Sequence, residues 1–466
     1  MSSWWSRLRG ARSATTQTPD LGSLPGSMPA TAATIAGASA GPASATAATG
    51  AAPVPQFGAR RPLVGATGEL AGFEFRLPEA AQRRLQARQD GPAAAAHAIA
   101  LLAAMRPALA AGRAALVELP AAVLSRPALA DVVPEGAWLA VNGQFEPDAS
   151  LGRTFIEWRK RSVRLGAADG RTELPGASFV LLRPGERGLQ DVLDACAHWQ
   201  HQQPTWMRVA VDLDGVESIE RALAHGAMLA AGDFATADPG ARGQRAIQPG
   251  AQRVCRLLND VVLDRDTAQI GAELRADLAL SYRLLRYVNS PAVGLSRPVE
   301  SVEQAVMVLG RNELYRWLSV LLLSLGSGRR TSRALQEVAL ARARLLELLA
   351  LSKQGSPAQE GSPPPALFTV GLLSMLDTLL QVPLADALQP LHLAEPAQDA
   401  LLARSGPWRP YLELAIHLER HDLAAAEPLA AAHGGLEAVI AMADQAWNWS
   451  AEIARSGAAP APAPSA

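Results

Sequence analysis

Apolar residues recur along this chain in two rhythms, and the change from one to the other divides it. Between residues 61 and 234 short apolar runs alternate with amphipathic stretches. The runs at 70–77, 114–119, 137–141, 178–182 and 207–213 have strand length, whereas 93–110 and 189–201 carry the longer period of a helix. Strands alternating with helices predict a largely parallel sheet with crossover helices, which a barrel and an open sheet both satisfy. From residue 251 to 454 the strand signal fades and a helical period takes over. Val254, Leu257, Leu258, Val261 and Val262 form one stripe, and Leu280, Leu284, Leu285 and Val288 form another. Ser301 to Gln304 reads as a capping box, in which the serine hydroxyl accepts from the amide three residues on and the glutamine reaches back to the cap. Gly310 then stands where a left-handed residue would close that helix, and Leu314, Trp317, Leu318, Leu321 and Leu322 begin the next. The expected fold class is α/β plus all-α.

The intervening segments set the boundaries. Residues 13–56 are almost entirely Ala, Thr, Ser, Gly and Pro, too poor in large apolar groups to offset the entropy of ordering a backbone. Residues 1–60 are therefore expected to be a disordered leader, and 455–466, rich in Ala and Pro, a tail of the same kind. Between them lie an α/β domain at 61–235, a linker at 236–250 marked by Pro-Gly steps, and a helical domain at 251–454. A loop at 354–365 ends in three consecutive prolines and should interrupt the bundle.

Composition removes several function classes. The chain has 466 residues and a formal charge of -1, so no global field recruits nucleic acid or anionic membrane. Its 2 cysteines, Cys196 and Cys255, are too few for a disulfide framework or a cysteine zinc site. No secretory signal is legible, and the longest uncharged apolar run is read at 318–326, too short to span a bilayer. A cytoplasmic protein without an integral membrane segment is expected.

Catalytic chemistry is sparse. No histidine occurs between His225 and His392, and neither a Gly-x-Gly-x-x-Gly loop after a strand nor a Gly-Lys-Ser/Thr loop is present. His421-Asp422 is a literal His-Asp pair, with His417 one helical turn before it, but a helix face or cap is the expected role for these residues. Cys196 near His198 could be imagined as a nucleophile and base, and packing is the commoner use of such a thiol.

The helical half carries a more specific pattern. Asp277-Leu-Ala-Leu-Ser-Tyr-Arg-Leu-Leu-Arg-Tyr-Val-Asn-Ser290, Val299-Glu-Ser-Val-Glu-Gln-Ala-Val-Met-Val-Leu-Gly310, Arg342-Ala-Arg-Leu-Leu-Glu-Leu-Leu-Ala350 and Phe368-Thr-Val-Gly-Leu-Leu-Ser-Met-Leu-Asp377 resemble, in order and spacing, the HDOD output module. That module is related to the HD metal-dependent phosphohydrolases. The resemblance implies that Gly371-Leu-Leu-Ser-Met-Leu376 replaces the enzymes' His-Asp pair with packing residues. Asn289-Ser290-Pro291 reads first as a helix stop, and Arg283, Arg286 and Arg297 as a solvated face, but the resemblance also singles out Asn289 and Ser290, with these arginines nearby, as a candidate interaction surface.

The first half resembles EAL domains, the barrel phosphodiesterases of cyclic di-GMP. Arg61-Pro-Leu-Val64 and Gly72-Phe-Glu-Phe-Arg-Leu77 look like the opening strands, with Glu74 at the signature glutamate and Arg76 in place of a leucine. Leu116-Val-Glu-Leu-Pro120 resembles a ligand-bearing strand, with Glu118 where an asparagine is expected. Ala168-Asp169 stands where paired aspartates are expected, Leu181 where a lysine base belongs, and Asp214-Gly-Val-Glu-Ser218 at a glutamate-bearing element. Glu74, Glu118, Asp169, Asp214 and Glu217 are thus vestigial ligand positions in a degenerate EAL-like domain. The resemblance implies a non-catalytic signalling protein with no cofactor, acting on unknown signalling proteins through its HDOD-like half. A cyclic di-GMP receptor without turnover is the alternative, and a phosphodiesterase the further one; a cyclic dinucleotide is the small ligand to test.

Overall fold

The five strand-like runs all become strands, and three more close them into a ring. The computed structural model describes residues 60–76, 91–124, 126–143, 149–168, 174–235, 248–289, 295, 297–325, 328–352 and 364–455. Strands β1 (Arg60–Gly65), β2 (Leu70–Phe75), β3 (Ala114–Pro120), β4 (Trp138–Asn142), β5 (Arg164–Ala167), β6 (Ala177–Leu182), β7 (Met207–Leu213) and β8 (Leu229–Gly232) form a closed barrel in sequence order. All neighbours are parallel except β1, which runs antiparallel to both β2 and β8. Of the two sheets left open by the sequence, the barrel is the one formed.

β5 and β8 span 4 residues each, with Gly and Ala making up half of the first and most of the second, and so gave no periodic signal. Arg60, placed in the leader by composition, belongs to β1 and pairs with Phe75. The interior is apolar, filled by Leu63, Leu116, Trp138, Phe179, Leu181, Val209 and Val211 among others.

The helix Gly91–Ala110 overturns one expectation. Its stretch Pro92–Ala110, and not 318–326, is the longest apolar run, and it is the one described helix long and apolar enough to cross a membrane. Here Leu101, Leu102 and Met105 are buried in the apolar cluster that covers the barrel.

The second half is helical from Pro249–Val262 to Leu436–Arg455, so its first helix takes in the last residues assigned to the linker. Side chains of Asp266, Asp277, Ser301 and Asp422 cap the helices that follow them, each accepting from backbone amides of the first turn. The capping box is half-formed: Gln304 N donates to Ser301 Oγ (3.1 Å), but the Gln304 side chain meets the amide of Glu300, not that of the cap. Gly310 breaks the helix as expected, at φ 68°, yet the chain resumes helical geometry at once, and Val302–Ser324 is a kinked run, not a helix that ends. The last two of the three prolines open the helix Pro364–Leu373, where missing amides cost nothing. Val262, expected in a buried stripe, is 48% exposed.

The two halves share one apolar core. β1 and β2 are joined by a tight hairpin with no helix between them, and their outer faces are covered by the bundle. Trp447 packs edge-on against Phe73 (5.0 Å between centroids), and Ala334 N donates to Gly68 O at the hairpin tip (3.1 Å). Gly68 has φ +83° and so little room that a Cβ would strike the Arg330 carbonyl, which is why glycine stands there. Ion pairs bracket this seam, including Arg60–Asp444 (2.6 Å), Arg113–Glu337 (2.6 Å) and Arg420–Asp233 (2.8 Å).

Candidate functional site at the barrel mouth

Inward-facing positions turn from apolar to charged at the end of the barrel where the parallel strands finish. Successive side chains of a strand point to opposite faces. Interior Leu63 is therefore followed toward the rim by Arg61, Leu116 by Glu118, Ala140 by Asn142 and Leu181 by Arg183. Glu74 faces Arg61 directly across the β1–β2 ladder.

Asp212 joins them by breaking the alternation. The β7–β8 register shifts between Ala210 and Leu213, and Asp212 has φ 63°. Val209 and Val211 face inward, but Leu213 packs in the outer cluster and Asp212 takes the rim position. A bulge of this kind re-aims a side chain, and aspartate is one of the few residues that tolerates the left-handed region.

The result is a closed network of three carboxylates and three guanidiniums. Arg61 donates to Glu74 Oε2 through Nε (2.9 Å) and Nη2 (2.6 Å), and to Asp212 Oδ1 (2.7 Å). Arg76 donates to Glu74 Oε1 (2.5 Å) and to both oxygens of Asp212 (2.7 and 2.9 Å). Arg183 reaches Asp212 Oδ2 (3.0 Å) and Glu118 Oε2, while Asn142 donates to Glu118 Oε1 (2.7 Å). All oxygens of Glu74, Glu118 and Asp212 thus accept from a guanidinium or an amide.

Electrostatics follows from this geometry. Burial opposes the charge on Glu74, but Arg61 and Arg76 overcome it and, with a smaller contribution from His421, hold the carboxyl below its ordinary range. Asp212 is also opposed by burial, and the hydrogen bond and charge of Arg76 together with Arg61 pull it well below the ordinary range. Arg76 is held well above its ordinary value by these carboxylates in spite of burial.

A divalent cation does not fit this donor set. It would need carboxylate oxygens that the arginines already hold, and among the described residues no three His, Cys, Asp or Glu side chains converge to take a metal.

The expected ligand positions separate. Glu74 (1% exposed) and Glu118 reach the mouth. Asp214 instead accepts from Ser218 Oγ at the start of the helix Val216–Ala224. Glu217 turns away to Arg329 of the bundle (2.5 Å). Ala168 and Leu181 are interior packing residues, and Asp169 lies outside the described residues. Arg61, Arg183, Asn142 and Asp212 were missed as members of the site. The first three were legible as rim neighbours of inward apolar residues, whereas Asp212 depends on a bulge that no strand pattern announces.

In the bundle, Gly371-Leu-Leu-Ser-Met-Leu376 is a packing seam. Leu372, Leu373, Met375 and Leu376 are buried, and a Cβ on Gly371 would come 2.6 Å from Ala343 Cα, so glycine lets the two helices touch. Ser374 Oγ accepts from Arg342 Nη1 (2.8 Å), whose fork holds Glu419 (2.9 and 2.5 Å). Glu419 is therefore tied into the core. His417 Nδ1 lies 3.2 Å from Asp422 Oδ2, and Asp422 caps the next helix. Cys196 and Cys255 are buried, and burial pushes both thiols up to about 11.

The candidate interaction surface is only partly assembled. The Asn289 amide clamps the backbone of Val299, accepting from its N (2.7 Å) and donating to its O (2.8 Å), so it closes a loop. Arg286 and Arg297 are exposed, Arg283 is half-buried, and Ser290 lies outside the described residues. Leu278 (86% exposed) and Tyr282 (65% exposed) share one helix face with Arg286.

Comparison with known proteins places one family within the helical half. The HDOD domain model matches residues 248–385. The uncharacterized protein YuxH of Bacillus subtilis is 32% identical over 169 residues, covering 36% of this chain and 40% of that protein. The cyclic di-GMP phosphodiesterase CdgJ of Vibrio cholerae is 29% identical over 214 residues, covering 46% of this chain and 48% of that protein. The matches thus span less than half of either relative. Among solved structures, an EAL domain protein from Listeria monocytogenes aligns over 38% of this chain and 85% of its own, with 12% identity and a TM-score of 0.30. An HDOD domain accordingly occupies residues 248–385, and the helices from Glu395 onward, two of which seal the barrel's flank, lie beyond its match.

Proposed function

We propose that this is a non-catalytic signalling protein of the cyclic di-GMP systems, acting by binding. The arginine-filled mouth carries the reading. Two-metal hydrolysis of a phosphodiester needs carboxylates free to hold cations and a base to deprotonate water. Here Arg61, Arg76 and Arg183 balance the charge of Glu74, Glu118 and Asp212, and apolar Leu181 stands where the resemblance implies a lysine base. The HDOD domain and the likeness to a cyclic di-GMP phosphodiesterase support the signalling context. The output is docking of another protein on the bundle, for which Leu278, Tyr282 and Arg286 offer an exposed mixed surface.

A second reading keeps the ligand and drops the turnover. Arg76 and Arg183 remain 25% and 31% exposed, so they could meet a phosphate of a cyclic dinucleotide at the mouth. Calorimetric titration of the purified chain with cyclic di-GMP, with and without Mg²⁺ and followed by product analysis, tests both. No product is expected under any condition. Heat without product supports the receptor, and hydrolysis would overturn the non-catalytic reading.

A further inference from the structure

The residues at the end of β7 belong to two networks at once. Asp212 takes hydrogen bonds from Arg61, Arg76 and Arg183 at the mouth. Immediately after it, Asp214 accepts from Ser218 Oγ and so ties the strand end to the first turn of the helix Val216–Ala224. From that helix, Glu217 and Glu220 both point into the bundle. Arg329, whose side chain is only 5% exposed, donates to Glu217 Oε1 (2.5 Å), to both oxygens of Glu220 (3.3 Å each) and to the carbonyl of Thr378 (3.0 Å). Thr331 adds two bonds to Glu220 Oε1, from its amide (3.2 Å) and its hydroxyl (2.7 Å). The same strand end is held from the other side, since Asp233 N donates to Leu213 O (2.9 Å) while the Asp233 carboxylate grips Arg420.

The mouth also meets the bundle through β1, where Arg60 pairs with Asp444 beside Arg61, but β7 reaches it through a helix that carries its own acidic contacts. The helix Val216–Ala224 buries Val216, Ile219, Ala222 and Leu223 in the apolar core beside β7, while its acidic side chains face the other half. A change in how Asp212 is paired therefore alters the strand end, and the helix transmits it. Coupling of this kind needs an element that both sites bias, and the bulge at Asp212, at φ 63°, is where the two networks meet.

We infer that the end of β7 and the helix Val216–Ala224 form a transmission joint, through which the pairing state of the barrel mouth is passed to the bundle by Glu217 and Glu220 acting on Arg329. The inference rests on the reading that the protein works by binding, and it deepens that reading by naming the contact that relays a signal. Glu217, a ligand position by resemblance, serves here as a handle for the other half of the chain.

Hydrogen exchange of the full-length chain, read by mass spectrometry, tests it without any partner. Asp212→Asn should speed exchange at 216–224 and at 328–335 by about tenfold, within the range of ordinary coupling energies, and leave 267–288 unchanged. In the background Glu217→Gln with Glu220→Gln, the same mouth substitution should still act on 216–224 but no longer on 328–335. Should Asp212→Asn loosen the whole molecule, Arg183→Lys, which keeps the charge and loses the fork, gives the milder perturbation to compare. Exchange changes that stop within the barrel, or that reach 328–335 whether or not the glutamates are present, would overturn the joint. Such a failure leaves the binding reading intact, whereas cyclic di-GMP hydrolysis would remove that reading and leave the exchange result standing.

Discussion

The barrel mouth and the bundle seam around Gly371 are filled in opposite ways. By resemblance each stands where a hydrolase would gather cations. The mouth keeps its carboxylates and neutralises them with arginines, while the seam carries leucines, a methionine and a glycine-to-backbone contact. A charged site can be rebuilt by exchanging the positive partner, whereas the seam's one polar side chain, Ser374, is already engaged by Arg342. Charge pairing thus organises the mouth, and packing organises the seam.

Removing one partner from the mouth should produce the largest effect that separates the two regions. Glu74→Ala leaves Arg61 buried without its main counter-charge, and breaking such a pair costs about 3–5 kcal/mol. Denaturant unfolding of the purified variant measures it, and a loss below 1 kcal/mol, the value of an exposed pair, would mean that the network is solvated. The seam should respond to size instead of charge. Gly371→Ala forces its Cβ into the Ala343 backbone and should cost about 1–3 kcal/mol by overpacking, with no change in the pH dependence of stability.

Acid sharpens the contrast. The Glu74 and Asp212 carboxyls are depressed in the folded state, so their stabilisation is fully present above the unfolded values near pH 4, and is lost as pH falls through the lower folded values. Wild-type stability should therefore decline steeply below about pH 4, and Glu74→Gln should flatten that decline. A variant as acid-sensitive as the parent would place the titration elsewhere. The smallest effect concerns the thiols: with both pushed up to about 11 and buried, neither Cys196 nor Cys255 should react with a thiol reagent at pH 8 until the chain is unfolded.

Much of this architecture is written in local patterns, and the remainder depends on contacts between distant segments. Short apolar runs of strand length announced β2, β3, β4, β6 and β7, and the helical stripes announced the bundle. β5 and β8 escaped because small residues carry little amphipathic contrast. Glu74 and Glu118 were found by resemblance, yet what holds them was not, since Arg183 and Asp212 meet them only after the barrel closes. Asp214 and Glu217 sit next to the right strand but point elsewhere, one to its own helix cap and one to Arg329. Asn289, read first as a helix stop and then as part of an interaction surface, does end its helix, and its amide completes a loop to Val299.

The hairpin between β1 and β2 has a consequence for how this protein could be taken apart or recombined. A barrel whose flank is walled by helices encoded almost two hundred positions away or more is not a portable cassette. Cutting the chain between Ala235 and Gln248 would strip Trp447 from Phe73 and leave Arg60 facing water in place of Asp444. Any recombinant that pairs this barrel with a foreign bundle must therefore recreate that wall before it can inherit the function.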